Sequence, residues 1–217
     1  MINLCFHGIG TPPDDVPAEE AAYWVDADTF RRVLDLVAVR PDVRLSFDDG
    51  NTSDLTVALP ELVERGRAAD FFVIAGRLGQ PGSLSAGDVR ALRRSGMGVG
   101  SHGMHHRVWR RLTAAQVHEE LVEARERLEE VLDEPVTTAA CPLGRYDRTT
   151  LAALRRLRYT RVYTSDRALA RPDSWRQARF SLRANDTADD VAAWLRHGDR
   201  YTVRAADRAR TFVKGLR

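Results

Sequence analysis

Two short clusters in this chain carry side chains able to hold a metal ion and move a proton. The first, Asp48-Asp49-Gly50, directly follows the apolar run Val43-Arg44-Leu45-Ser46-Phe47. Two adjacent carboxylates ending a buried strand are costly unless something compensates them. Successive strand residues point to opposite sides, so both acids reach one site only where the chain turns. Gly50 permits that turn. Alone, the pair would also fit a solvated surface turn. The second cluster, Ser101-His102-Gly103-Met104-His105-His106, holds three of the six histidines. His102 and His106 stand four apart, a spacing that sets two imidazoles on one side of a helical turn in zinc hydrolases. His105 would point elsewhere. Two His and one carboxylate leave coordination positions for water and substrate, which is a catalytic rather than a structural arrangement.

Such residues need strands that end side by side. Short apolar runs at 2–7, 43–47, 69–74, 98–101, 137–141, 161–163 and 180–182 read as strands. Helical stretches fall at 28–37, 53–64, 85–94, 113–132, 147–157 and 187–196. The clearest is 113–132, where Leu121, Ala124, Leu128 and Val131 recur near helical spacing, with Thr113 to cap its start and Pro135 beyond its end. Regular strand–helix alternation argues for an α/β fold of parallel βαβ units, either a (β/α) barrel or an open doubly wound sheet. In both, functional residues gather at the carboxyl ends of strands. Both clusters sit there. Residues 8–22, rich in Pro and Asp, form a long loop after the first strand, and loops that long are uncommon unless functional or mobile.

On these residues the chain resembles the polysaccharide deacetylases, the NodB-homology family. Leu45-Ser46-Phe47-Asp48-Asp49-Gly50 is similar to the family's T-F-D-D-G motif, and His102 to His106 matches its H-x-x-x-H. The resemblance extends from His7 to about Thr187 and implies a distorted (β/α)7 barrel, with 1–217 as one catalytic domain. It implies Asp48 as catalytic base and Asp49, His102 and His106 as ligands of a divalent metal. Zn²⁺ is the first expectation, with Co²⁺, Ni²⁺ or Fe²⁺ compatible with the same donors. Such a metal lowers the pKa of its water to ~7 and polarises an amide carbonyl.

The third family motif is altered, reading Ala140-Cys141-Pro142-Leu143-Gly144-Arg145-Tyr146-Asp147. The resemblance makes the Leu143 backbone N–H the candidate oxyanion donor. The arginine that orients the base is missing from its usual place; Arg179, before Phe180, could replace it or bind substrate, although a solvated arginine is the plainer reading. For the general acid, His7 at the end of the first strand resembles the Y-H motif of a circularly permuted subgroup. His197, which reads as a helix end before Gly198, is the alternative. Tyr23, Trp24, Trp109, Tyr146 and Trp175 are candidates for a sugar-stacking platform, Trp109 and Tyr146 foremost, against an ordinary packing role.

The remaining sequence bounds the function loosely. The 217 residues, with net charge +2, include no apolar run of ~18 residues and no signal-peptide pattern at the start, so a cytoplasmic location is expected. The arginines form no basic stripe with aromatics, which argues against a nucleic-acid surface. Cys5 and Cys141 read as reduced and buried. A C-terminal stretch with Arg204, Arg208, Arg210 and Lys214 reads as a solvated amphipathic helix. The expected reaction is removal of an N-acetyl group from an amino sugar or glycan. A non-sugar amide as substrate, or a carbohydrate-binding pseudoenzyme, are the alternatives.

Overall fold

The structure, a computed structural model, describes residues 1–14 and 16–198, the last two by backbone alone. The stretch with Arg204, Arg208, Arg210 and Lys214 therefore lies outside the described residues, as does the side chain of His197.

The chain alternates strand and helix throughout. Strands are β1 (Ile2–Phe6), β2 (Val43–Asp49), β3 (Asp70–Val73), β4 (Gly98–Ser101), β5 (Thr138–Ala140), β6 (Arg161–Thr164), β7 (Arg176–Ala178) and β8 (Phe180–Ser181). Helices are α1 (Ala18–Ala21), α2 (Ala27–Val37), α3 (Leu59–Glu64), α4 (Ala86–Arg94), α5 (Ala114–His118), α6 (Ala124–Leu132), α7 (Arg148–Arg156) and α8 (Ala188–Gly198). All strand pairings are parallel, in the order β7-β6-β5-β4-β3-β2-β1-β8. Only Arg179 separates β7 from β8, so one segment pairs with β6 through its first half and with β1 through its second. That closes the sheet into a barrel. The seven expected strands become eight segments because the last strand breaks at Arg179. β7 escaped the sequence reading since Arg176-Gln177-Ala178 has no apolar pattern. Its buried Gln177 is held instead by Asn3 and by the Arg171 and Ser174 carbonyls.

The two faces of the strands differ. Phe6, Phe47 and Phe71 lie in register on β1, β2 and β3, stack at 5.3 and 4.7 Å, and pack with Phe30, Val33 and Leu34 of α2. The opposite face points into the barrel and is largely polar. There the Tyr163 hydroxyl of β6 donates across to Asp70 of β3, and the Arg179 guanidinium reaches Ser46 and Asp48 of β2. A core this polar is tolerable only because its groups pair with one another.

Two helices depart from the regular pattern. The stretch before α3 winds as a π turn, Asp54–Ala58, and Glu119–Glu123 does the same between α5 and α6. π turns re-aim side chains and recur at functional sites. Here they bury Asp54 and Glu120 completely. No helix among the described residues is long and apolar enough to cross a membrane.

Candidate metal centre and active-site cleft

β2 ends on Asp48 and Asp49, and the chain turns there through two left-handed residues, Asp49 (φ 77) and Gly50 (φ 73). A left-handed Asp is uncommon, and such strain clusters at functional sites. The turn breaks the strand alternation and brings both carboxylates to one end of the barrel. β4 ends at Ser101, and His102 follows directly; its backbone N–H donates to Val73 O at 2.9 Å, tying the histidine loop to β3.

The donor atoms converge. Nε2 of His102 lies 3.5 Å from Asp49 Oδ1, and Nε2 of His106 lies 3.3 Å from the same oxygen. Asp49 Oδ1 is buried and has no hydrogen-bond partner. An orphaned buried carboxylate oxygen facing two imidazole nitrogens is an arrangement a cation would complete. Ligands about 2.1 Å from a tetrahedral zinc stand roughly 3.4 Å apart, which these separations match. The three side chains thus fit a divalent metal, and they are the group that the family resemblance implied as ligands.

Neighbouring groups orient both imidazoles. The Ala140 carbonyl can only accept, so His102 Nδ1 carries the proton that bonds to it at 2.9 Å, leaving Nε2 free for coordination. Burial pushes the His102 pKa down to about 4, so it is neutral at physiological pH, as a ligand must be. His106 Nδ1 donates to Glu20 Oε1 at 3.1 Å, and Arg77 pairs with the same carboxylate at 3.2 Å. The His106 hydrogen bond, then that of Arg77, brings Glu20 down to about 2 against the opposing effect of burial. Burial alone would lower His106, but Glu20 and Asp49 outweigh it and hold its pKa above the ordinary value.

Glu120, fully buried at the π turn, accepts from the backbone N–H groups of Met104 and His105 and from Trp109 Nε1. It fixes the histidine loop from below, and a side chain on Gly103 would collide with its carboxylate. Neither Glu20 nor Glu120 was singled out from sequence. Glu20 sits on α1 within the long 8–22 loop, and the unusual length of that loop was the only signal. Glu120 sits in an ordinary-looking charged helix and gave none.

Asp48 is 2% exposed and gripped by the fully buried Arg179, NH1 to Oδ1 and NH2 to Oδ2, both at 2.6 Å. Burial would raise the Asp48 carboxyl, yet the charge of Arg179, then that of His102, holds it well below the usual carboxylate range. Arg179 is therefore neither solvated nor able to touch substrate, which corrects both of those expectations. Its guanidinium instead forks onto both oxygens of Asp48. Strand alternation puts Arg179 on the inward face with Gln177 and Ser181, all three buried.

The cleft above these groups, about 280 Å³, is lined by Asp48, Asp49 and His106, with His7, Leu143 and Tyr23 among the residues around them. His7 follows β1; its Nδ1 is buried without a partner, and its ring packs on Tyr23 at 4.9 Å. Leu143, 52% exposed and left-handed (φ 54), lies in the one-turn 3₁₀ helix Pro142–Gly144. At the second position of so short a helix, its N–H has no intrahelical partner.

Two expected substrate-binding residues lie elsewhere. Trp109 is completely buried in the cluster under α7 with Leu121, Leu154 and Tyr159. Tyr146 belongs to the same cluster, and its hydroxyl donates to Asp166 at 2.8 Å. A short parallel bridge joins the two residues, which sews the loops after β4 and β5 together. They are packing residues, because the loops fold down over the barrel wall. Of the aromatics considered, Tyr23 alone lines the cleft. Cys5 and Cys141 are buried, and burial pushes both thiols far above their ordinary range.

Comparison with known proteins agrees with this geometry. The polysaccharide deacetylase family model matches residues 38–162, which include both the Asp pair and the histidine loop. YxkH of Bacillus subtilis (strain 168), which bears a polysaccharide deacetylase name, is 26% identical over 143 residues, or 66% of this chain. Those residues span only 51% of YxkH, about half its length. Among solved structures, the Streptococcus pyogenes deacetylase PplD, in complex with acetate, superposes with a TM-score of 0.75 at 22% identity, covering 89% of this chain and 96% of that one. IcaB from Ammonifex degensii gives a TM-score of 0.73 at 25% identity over 89% and 95%. With more than half its length matched to the family, and a barrel of the same architecture, this chain belongs to the polysaccharide deacetylase family.

Proposed function

We propose that this chain is a single catalytic domain, a metal-dependent hydrolase that removes N-acetyl groups from an amino sugar or glycan. The observation that carries the reading is the buried, unpartnered Asp49 Oδ1, facing Nε2 of His102 and of His106. Zn²⁺ suits this donor set best, and Co²⁺, Ni²⁺ or Fe²⁺ are compatible with it. A bound divalent ion would supply an activated water and polarise the acetamide carbonyl.

The chain's own residues do the rest. Asp48, fixed by the Arg179 fork and ionised at neutral pH, accepts the proton released as a water oxygen attacks the carbonyl carbon. The Leu143 N–H, on a left-handed residue beside the cleft, donates to the developing oxyanion. His7 gives its proton to the nitrogen as the C–N bond breaks, leaving a free amine and acetate. β1, which carries His7, lies between β2 and β8 and precedes the segment matched to the family. That placement supports the permuted strand order implied by the Y-H resemblance.

Metal analysis of the purified protein beside His102→Ala, with acetate release from N-acetylglucosamine oligomers, tests the reading. The expected result is about one divalent ion per chain, absent in the variant, with acetate released by the parent. Asp48→Asn should keep the metal and lose about 10²–10⁴-fold in rate. Metal without acetate release would redirect the hydrolase to another amide. No metal under replete conditions would leave a binding domain.

A further inference from the structure

Three arginines stand together at the mouth of the cleft. Arg145 follows the Pro142–Gly144 turn after β5, Arg167 follows β6, and Arg183 follows β8, so they form an arc along one side of the opening. All three are exposed. Arg31, Arg40, Arg65, Arg77, Arg93 and Arg179 are each ion-paired. Arg145, Arg167 and Arg183 have no carboxylate within salt-bridge distance among the described residues.

Two of the three are nonetheless held in place. The Arg183 guanidinium lies over the Tyr23 ring at 5.4 Å and donates to its hydroxyl at 3.5 Å. That of Arg167 lies over the Trp194 ring at 4.9 Å and donates to Ser181 O at 3.4 Å. Stacking fixes a guanidinium while using few of its five N–H donors. The acids lining the same cleft are mostly engaged: Asp48 by Arg179, Glu20 by Arg77 and His106, and Asp49 within the metal group. Glu19 alone opposes the arc.

Unneutralised, pre-oriented guanidiniums around a concave opening suit planar anions, which they can grip with two parallel hydrogen bonds. Among the described residues, no broad aromatic platform of the kind that suits a neutral glycan lines the cleft, since Tyr23 is the one aromatic there and is covered on one face by Arg183. We propose that the substrate is an anionic glycan, carrying a carboxylate or phosphate on or beside the N-acetylated sugar, and that Arg145, Arg167 and Arg183 recognise that group. The assignment rests on the deacetylase reading for the position of the sugar.

The test compares metal-loaded protein binding chitotetraose, its C6-carboxylated form and its C6-phosphorylated form, by ligand-observed NMR titration at low and high salt. At least one anionic ligand should bind about tenfold tighter than the neutral one at low salt, roughly the effect of one to two exposed charge contacts. The preference should shrink at high salt. The carboxylated and phosphorylated arms tell the two sources of charge apart. In Arg145→Ala/Arg183→Ala the anionic-to-neutral affinity ratio should fall to about one, with the thermal melting curve unchanged. Equal affinities in the parent, no binding of either anionic ligand at millimolar concentration, or a ratio unmoved in the variant would each overturn the proposal. Acetate release is measured separately. Anionic preference without release would sink the deacetylase reading and keep the subsite, and release without preference would do the reverse.

Discussion

At the scale of single residues, the site is built from groups held in states they would not adopt in water. Asp49 is left-handed with a bare oxygen, His102 is stripped of its charge by burial, and Asp48 is kept ionised by a buried fork. Asp54 is the unexpected member. It is fully buried, both its oxygens lack partners, and burial, with the nearby charges of Asp49 and Asp48, pushes its pKa well above the usual range. A carboxyl raised in the folded state contributes its stability fully below its unfolded pKa and loses it as pH rises through the folded value. The unfavourable contribution of this group should therefore grow from about pH 4 toward neutrality, opposite in sign to that of His102, whose lowered pKa favours folding over the same window. Asp54→Asn, which cannot ionise, should be more stable at neutral pH by about 1–3 kcal/mol. Urea unfolding at both pH values checks this. An advantage that does not grow with pH would show that Asp54 has a partner in solution.

At the scale of elements, strand ends supply the candidate ligands and the helices behind them set their aim. The loop from His102 to His106 is tied on one side to the chain after β3, with the Ala75 and Gly76 N–H groups donating to Gly103 O and Met104 O, and on the other to Glu120, which accepts from Met104, His105 and Trp109. Removing that acceptor leaves buried donors unsatisfied and frees His106 to move. Glu120→Ala should weaken metal affinity about 10–100-fold, the usual effect of losing a group that orients ligands. Calorimetric titration of metal into the stripped protein measures it. Undiminished affinity would mean that Glu20 and the β3 backbone suffice to hold the loop.

At the scale of the whole molecule, the barrel is closed by one broken strand, and Arg179 at the break reaches past β1 to Asp48 on β2. The base of the proposed reaction is thus also a strut of the fold. Removing one partner of a buried pair leaves an uncompensated charge and costs about 3–5 kcal/mol. Arg179→Met should show a loss of that size in chemical denaturation. Adding Asp48→Asn should recover part of it, because the stranded charge is gone. A loss below about 1 kcal/mol in the single variant would show that water reaches Asp48.

Much of this was legible in the sequence. Strand–helix alternation follows from local hydrophobic period, so the α/β fold and the helical stretches from 28 to 196 could be read directly. The metal group could be read because its members lie in two compact motifs, each at a strand end, where barrel geometry brings ligands together. What escaped was set by contacts between residues far apart in sequence. Nothing near Arg179 shows that it lies in a strand whose inward face meets a carboxylate 131 positions away. Glu20 looks like an ordinary loop acid and Glu120 like an ordinary helical one until the loop after β4 meets both. Trp109 and Tyr146, close to the motifs in sequence, face away because the side of the barrel wall a loop covers is decided by packing. Sequence spacing determined which donors share a strand end, and only the closed barrel determined which way every other side chain points.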